Sequence, residues 1–283
     1  MSKTIITTDS PADVPAELRE RYGIHVIPLH ITLDDKSYED GVNITPDDLY
    51  AFYREKGRLP KTAAVSIPEY MDFFGALTAD GSAVVHVAFT SKLSVTYHNA
   101  CLAAAQFENV YVVDSKSLTT GITLLCIKAC ELARAGTDAK TIVHELEYKR
   151  EKVVTSFILD KLEFLHKGGR CSGLTALGAN VLGIKPSIVM RDGALVVGKK
   201  YRGKLEACQM QYVRDLLKQY EGQIDTDRAF LSHTAGVSDE QLRALQKEVH
   251  KTVKFKEYFV STVGCTITTH CGEWTFTLEF MLK

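Results

Sequence analysis

What this chain lacks narrows its class before any motif is weighed. Its 283 residues contain no run of about 18 unbroken apolar residues, so no segment reads as a membrane-spanning helix and no stable membrane insertion is expected. Lys and Arg number 34 against 35 Asp and Glu, a formal net charge of -1; without a basic excess, nucleic acid is not expected as a partner. Internal repeats and low-complexity segments are missing, and no acidic tail or charge block suggests disorder. Cysteines are seven, an odd number scattered along the chain without a signal peptide, which points to reduced thiols in a cytoplasm. Cys126 and Cys130 stand four apart in an apolar helical run and read as packing, and no His/Cys set has metal-ligand spacing. The phosphate-binding pattern Gly-x-x-x-x-Gly-Lys-Ser/Thr does not occur, so ATP would have to bind to a partner, and no cofactor or metal is expected.

What is present alternates strand and helix in the first half. Thr4 to Thr8 reads as a strand that stops at Asp9-Ser10-Pro11, and a helix is expected from about Ala12 to Tyr22. Ile24 to Leu33 is β-rich and broken at Pro28; Thr45-Pro46 and Ser66-Ile67-Pro68-Glu69 open helices. Ala83 to Phe89 and Val110 to Val113 are nearly unbroken apolar runs, as in parallel strands buried on both faces. This is βαβ architecture, with a ligand expected at the carboxyl ends of the strands.

After about residue 150 the rhythm changes. Strands are expected at Val153–Ile158, Ser187–Met190, Ala194–Lys199, Ala229–Ser232, Phe255–Thr262 and Trp274–Leu282, with a hairpin at Arg191-Asp192-Gly193. Helices are expected near Leu177–Gly183, Lys204–Glu221 and Ser238–Lys251. The fold class is therefore α/β in two domains: residues 1–150 with a parallel sheet, and residues 151–283 with a mixed or antiparallel sheet.

Several segments suit an anion. Leu162 to Arg170 is an apolar helical turn running into two glycines and an arginine, closely followed by Gly178 to Pro186; as a bare pattern it is a helix C-cap. Phe89 to Tyr97 carries hydroxyls at Thr90, Ser91, Ser94 and Thr96, running from the end of a strand into a helix start. Thr62 with Ser66, and Asp114-Ser115-Lys116-Ser117, repeat the arrangement. Singly each reads as an N-cap, but a parallel sheet gathers such ends on one edge.

In order and spacing, these segments resemble the DegV family, the fatty-acid-binding component of the bacterial fatty acid kinase system. The likeness runs through Asp9-Ser10, Tyr38 to Gly41, Thr62 with Ser66, Thr90 to Tyr97, Val113 to Ser115, Leu162 to Arg170, Gly183 to Pro186, Tyr201 to Gly203, and Gly264 with His270. The resemblance implies a lipid-binding protein, not an enzyme, with two α/β domains burying a long-chain fatty acid between them. It implies that Thr62, Ser94 and His270 meet the carboxylate, that Arg170 and Arg202 stand near the head group and the kinase-docking face, and that a separate ATP-binding kinase subunit phosphorylates the carboxylate.

Three positions depart from the family pattern. Thr62-Ala63-Ala64-Val65-Ser66 loses polar groups and a proline; Val95 stands where glycine is usual; and Cys271-Gly272-Glu273-Trp274 replaces a Gly-Pro-Gly pattern. The last two are expected to bring bulk, and in Glu273 a second carboxylate, near the head group. His25, His86, His98, His144, His166 and His250 read as surface or core-edge residues. The competing reading is a serine-dependent lipid or ester hydrolase using Ser94 and His270; it lacks a Gly-x-Ser-x-Gly elbow and a motif that supplies the acid.

Overall fold

The computed structural model describes residues 3–171 and 183–283. The chain forms two compact units, Met1–Glu151 with Gly264–Thr266, and Lys152–Val263 with Ile267–Lys283.

The first unit contains β1 (Thr4–Asp9), α1 (Ala16–Tyr22), β2 (His25–Ile27), β3 (His30–Leu33), β4 (Lys36–Glu39), α2 (Pro46–Lys56), β5 (Lys61–Ala63), α3 (Ile67–Thr78), β6 (Ala83–Ala88), α4 (Thr96–Ala104), β7 (Val110–Asp114), α5 (Thr120–Arg134) and α6 (Ala139–Lys149). Its main sheet runs β2-β1-β6-β7, parallel throughout, with Ile6 opposite Val85 and Val87 opposite Val113. All six residues of β6 are buried, as an apolar strand covered on both faces requires. Tyr70 and Phe74 from α3 and Ala100 and Ala103 from α4 pack on Val84 to form the core of one side. Sequence places α1 too early. Ser10–Ala12 is instead a 3-10 turn closed by Asp13 in the left-handed region, and Pro15 disfavours helical backbone in Val14, so the α-helix starts only at Ala16. A small antiparallel sheet, β4-β3-β5, sets Ile31 opposite both Tyr38 and Thr62.

The second unit contains β8 (Val153–Val154), β9 (Ser156–Ile158), α7 (Glu163–Gly168), β10 (Ile184–Arg191), β11 (Ala194–Arg202), α8 (Leu205–Gln219), β12 (Ile224–His233), α9 (Asp239–Thr252), β13 (Glu257–Thr262), α10 (Cys265–Cys271, whose first two residues belong to the first unit) and β14 (Phe276–Leu282). Strand order is β11-β10-β9-β14-β12-β13, with β8 also pairing with β14. Only β12 and β13 pair in parallel among the described strands of this sheet, so it is mixed. Asp192 (φ 48°) and Gly193 (φ 79°) make the tight hairpin turn between β10 and β11. Tyr212, Val213 and Leu217 of α8 and Leu245 and Val249 of α9 form a core with Phe276, Leu278 and Phe280 of β14. The expected helix Leu177–Gly183, all but its last residue, and the Gly178 to Leu182 part of the glycine-rich stretch fall in 172–182, outside the described residues. Among the described residues, no helix is long and apolar enough to cross a membrane.

Candidate functional site

The carboxyl edge of the parallel sheet is organised by one buried acid. Asp9, at the end of β1, accepts hydrogen bonds from the Tyr70 hydroxyl and from the Phe89 N–H (2.7 Å), and its Oδ1 lies 3.1 Å from His86 Nε2. His86 Nδ1 lies 2.9 Å from Thr7 Oγ1, and Thr7, Asp9, Tyr70 and His86 are all inaccessible to solvent. A buried carboxylate needs such donors. Here they also fix Phe89, the residue from which the hydroxyl-rich loop departs. Ser91 N–H donates to Asp114 Oδ1 (3.3 Å), which also accepts from Lys116 N–H (3.0 Å), so loops after β6 and β7 share one acceptor.

Ser94 lies at the end of this loop, half-buried, with its Oγ accepting from Thr96 N–H (3.2 Å) and 2.9 Å from Thr96 Oγ1 at the start of α4. Val95 follows with ordinary right-handed backbone (φ -75°, ψ -5°) and is 60% exposed. The turn therefore makes no demand for glycine, and the branched side chain faces solvent. Thr62 sits half-buried in β5 opposite Ile31. Its segment is tied to that of Ser94 by Asn99 of α4, whose Nδ2 donates to Val65 O (2.7 Å). Ser66 caps α3: its Oγ accepts from Glu69 N–H while Glu69 Oε2 accepts from Ser66 N–H (2.8 Å), and Glu69 Oε1 lies 2.8 Å from His30 Nε2.

In the second unit, His270 lies in the last turn of α10, against the end of α7. A Cβ built on Gly168 would fall on His270 Nδ1 and 3.2 Å from Cε1. Arg170 is exposed, and its Nη1 donates to Gly168 O (2.6 Å). Desolvation of the imidazole, reinforced by the nearby Arg170 charge, pushes the His270 pKa down to about 4, so the ring is neutral at pH 7. The structure thus brings His270 and Arg170 into one cluster. Arg202 is exposed at the end of β11 opposite Ile184, and its guanidinium makes no hydrogen bond or ion pair among the described residues.

Two features depart from the sequence reading. Trp274, expected to begin the last strand, instead adopts a left-handed backbone (φ 66°) ahead of β14 and lays its ring on Gly236, where a Cβ would come 2.7 Å from Cδ2. His86 is a central core residue partnered by Asp9, not one at the core edge. The signal was available: an acid that ends one buried strand and a histidine in the middle of the neighbouring one are brought together by parallel pairing. Asp40, which in sequence is only part of the Tyr38 to Gly41 likeness, is a buried acceptor. It accepts from the N–H groups of Cys265 (2.8 Å) and Thr266 (3.1 Å) and from the Thr266 and Ser10 hydroxyls. No group of three His, Cys, Asp or Glu suited to a metal ion occurs among the described residues.

The profile of the family described as "Uncharacterised protein, DegV family" matches residues 3–282. A DegV domain-containing protein of Caldanaerobacter subterraneus subsp. tengcongensis is 32% identical over 274 residues, 96% of each chain. A solved DegV family protein from Thermus thermophilus, described by its fatty acid binding, superposes with a TM-score of 0.90 at 27% identity, covering 99% of this chain and all of the other. A stearic-acid-binding protein from Eubacterium ventriosum gives 0.85 at 26% identity, covering 100% of this chain and 99% of the other.

Proposed function

Because the chain belongs to the DegV family, we propose that it is a fatty-acid-binding carrier that holds one long-chain fatty acid and presents its carboxylate to a separate ATP-dependent kinase. The observation that carries the binding half of this reading is the full-length likeness in fold to proteins described as binding fatty acids. The head-group chemistry supports it. A carboxylate taken out of water is stable only when several donors meet it, and the hydroxyls of Thr62 and Ser94 and the N–H of a neutral His270 are donors of the required kind. Burying the tail supplies the affinity: at ~0.8 kcal/mol per methylene, a chain of about sixteen carbons gains on the order of 10 kcal/mol before ordering costs.

The kinase half rests on chemistry. The chain carries no phosphate-binding loop of its own, and acyl-phosphate formation adds negative charge that Arg170 and Arg202 are suited to balance. Both are exposed, as residues that dock a partner must be. The compartment that fits a reduced, odd set of cysteines is the cytoplasm.

Native mass spectrometry of the purified protein tests the first half. One equivalent of a long-chain fatty acid, released and identified on denaturation, is the expected result; an empty protein that also fails to take up added stearate would sink the reading. For the second half, Arg170→Ala and Arg202→Ala should keep stearate affinity within about twofold while acyl-phosphate formation with ATP and a kinase fraction falls about tenfold or more. A loss confined to stearate affinity would reverse those roles.

A further inference from the structure

The paired glycines at the end of α7 are there for different reasons. Gly169 has φ 69°, a left-handed cap, with open space where a Cβ would be. Backbone conformation alone explains it. Gly168 is the opposite case. Its backbone is one that any residue adopts, and helix propensity favours alanine there. What excludes a Cβ is a single side chain: the three nearest atoms are all from His270, namely Nδ1, Cε1 at 3.2 Å and Cγ at 3.5 Å. These belong to a rigid ring near its own backbone, which cannot swing aside as the tip of a lysine does. The contact is also reciprocal. Gly272, just beyond α10, receives the Phe164 ring of α7, where a Cβ would come 2.7 Å from Cδ2. Each helix end thus offers a bare glycine to an aromatic ring of the other, and Arg170 clamps the Gly168 carbonyl.

We propose that Gly168 is a positioning residue for the fatty acid head group: by carrying no Cβ it lets the His270 imidazole lie against the end of α7, the one orientation in which its N–H meets the carboxylate. This rests on the reading of His270 as a head-group ligand. A methyl at residue 168 displaces the ring, and the hydrogen bond is lost although every ligand residue remains.

The test measures stearate binding by equilibrium dialysis on the delipidated full chain and on the Gly168→Ala, Gly169→Ala, His270→Ala and Gly168→Ala/His270→Ala variants. Gly168→Ala and His270→Ala should each weaken binding about tenfold or more, as the loss of a charge-assisted hydrogen bond does. The double variant should be no weaker than His270→Ala within about twofold, because the two changes remove one interaction. Gly169→Ala should melt lower yet bind within about twofold. In Gly168→Ala the His270 ring, followed by NMR, should titrate closer to its ordinary value of 6.5 than to the wild-type value of about 4.

Full affinity in Gly168→Ala with a loss in His270→Ala overturns the positioning role and leaves the head-group reading standing. Unchanged affinity in His270→Ala overturns that reading itself. Additive losses in the double variant, or an unmoved ring titration, also overturn the positioning role. Should Gly168→Ala fail to fold, folding must return in the double variant, where the colliding ring is gone; a double variant that stays unfolded counts against the proposal.

Discussion

Asp13 keeps its carboxyl where a charge is hard to hold. Its Oδ1 accepts from Gly264 N–H (2.8 Å), while Oδ2 is buried beside the Thr119 hydroxyl. Burial, with the nearby Asp40 charge, raises its pKa well above the ordinary 3.8 against the opposing hydrogen bonds. The folded state therefore binds the proton more tightly than the unfolded one. The stability this contributes is complete below about 3.8 and is lost as pH rises through the elevated folded value. Asp13→Asn preserves the acceptor for Gly264, tolerates the left-handed backbone (φ 50°) and brings no charge. It should melt a few degrees above wild type at pH 7, with the gap closing toward pH 4; a gap constant with pH in calorimetry would refute the buried-acid account. The proposed ligands belong to the same scale. Ser94→Ala combined with Thr62→Ala should weaken stearate binding by about 1.5–3 kcal/mol for each hydrogen bond to the charged carboxylate, and unchanged affinity by dialysis would remove both from the head group. Sequence names these hydroxyls, but it does not show that Val95 points outward or that Trp274 turns onto Gly236. Those directions depend on backbone dihedrals that neighbouring loops impose.

Capped helices and apolar strands are the elements most legible in sequence. Thr45-Pro46 and Ser66-Ile67-Pro68-Glu69 both start helices with full capping boxes, and the hairpin at Asp192-Gly193 falls where its residues demand. Elements without a periodic signal are harder to read. β4 and β5 are four and three residues long, polar and half-exposed, so no alternation distinguishes them from loop. α10 is rich in Thr and Ile, which favour strands; it is helical because the Asp40 carboxylate binds its first amides and packing buries its Thr residues. The Ser66 cap gives this scale its prediction. Ser66→Ala should lower unfolding free energy by about 1 kcal/mol in urea titration while stearate affinity stays within about twofold. A tenfold loss of affinity without that destabilisation would make Ser66 a ligand instead of a cap.

At the level of the whole chain, the change from buried parallel strands to alternating ones near residue 150 marks two sheets of different kind, because burial on both faces or one leaves different patterns. The return of Gly264–Thr266 to the first unit left no such mark. Three residues carry no periodicity, and what holds them is a set of hydrogen bonds from their N–H groups to the Asp13 and Asp40 carboxylates, more than two hundred positions earlier. Hydrogen exchange reads both levels at once. Without ligand, the slowest amides should lie in interior strands, β6 of the first sheet and β14 of the second. The partly exposed edge strand β13 should exchange sooner. A bound fatty acid stabilises the states that hold it by RT ln(1 + [L]/Kd), about 2.7 kcal/mol at a hundredfold excess over Kd. Segments that carry the proposed ligands share in that gain. Stearate should therefore slow exchange in residues 61–63, 90–97, 163–170 and 265–271, which carry the proposed ligands Thr62, Ser94 and His270 and the end of α7 against which His270 packs. It should leave the ends of α9 nearly unchanged. Protection gained at α9 and β13 but not in residues 90–97 would place the carboxylate elsewhere and discard this set of ligands together.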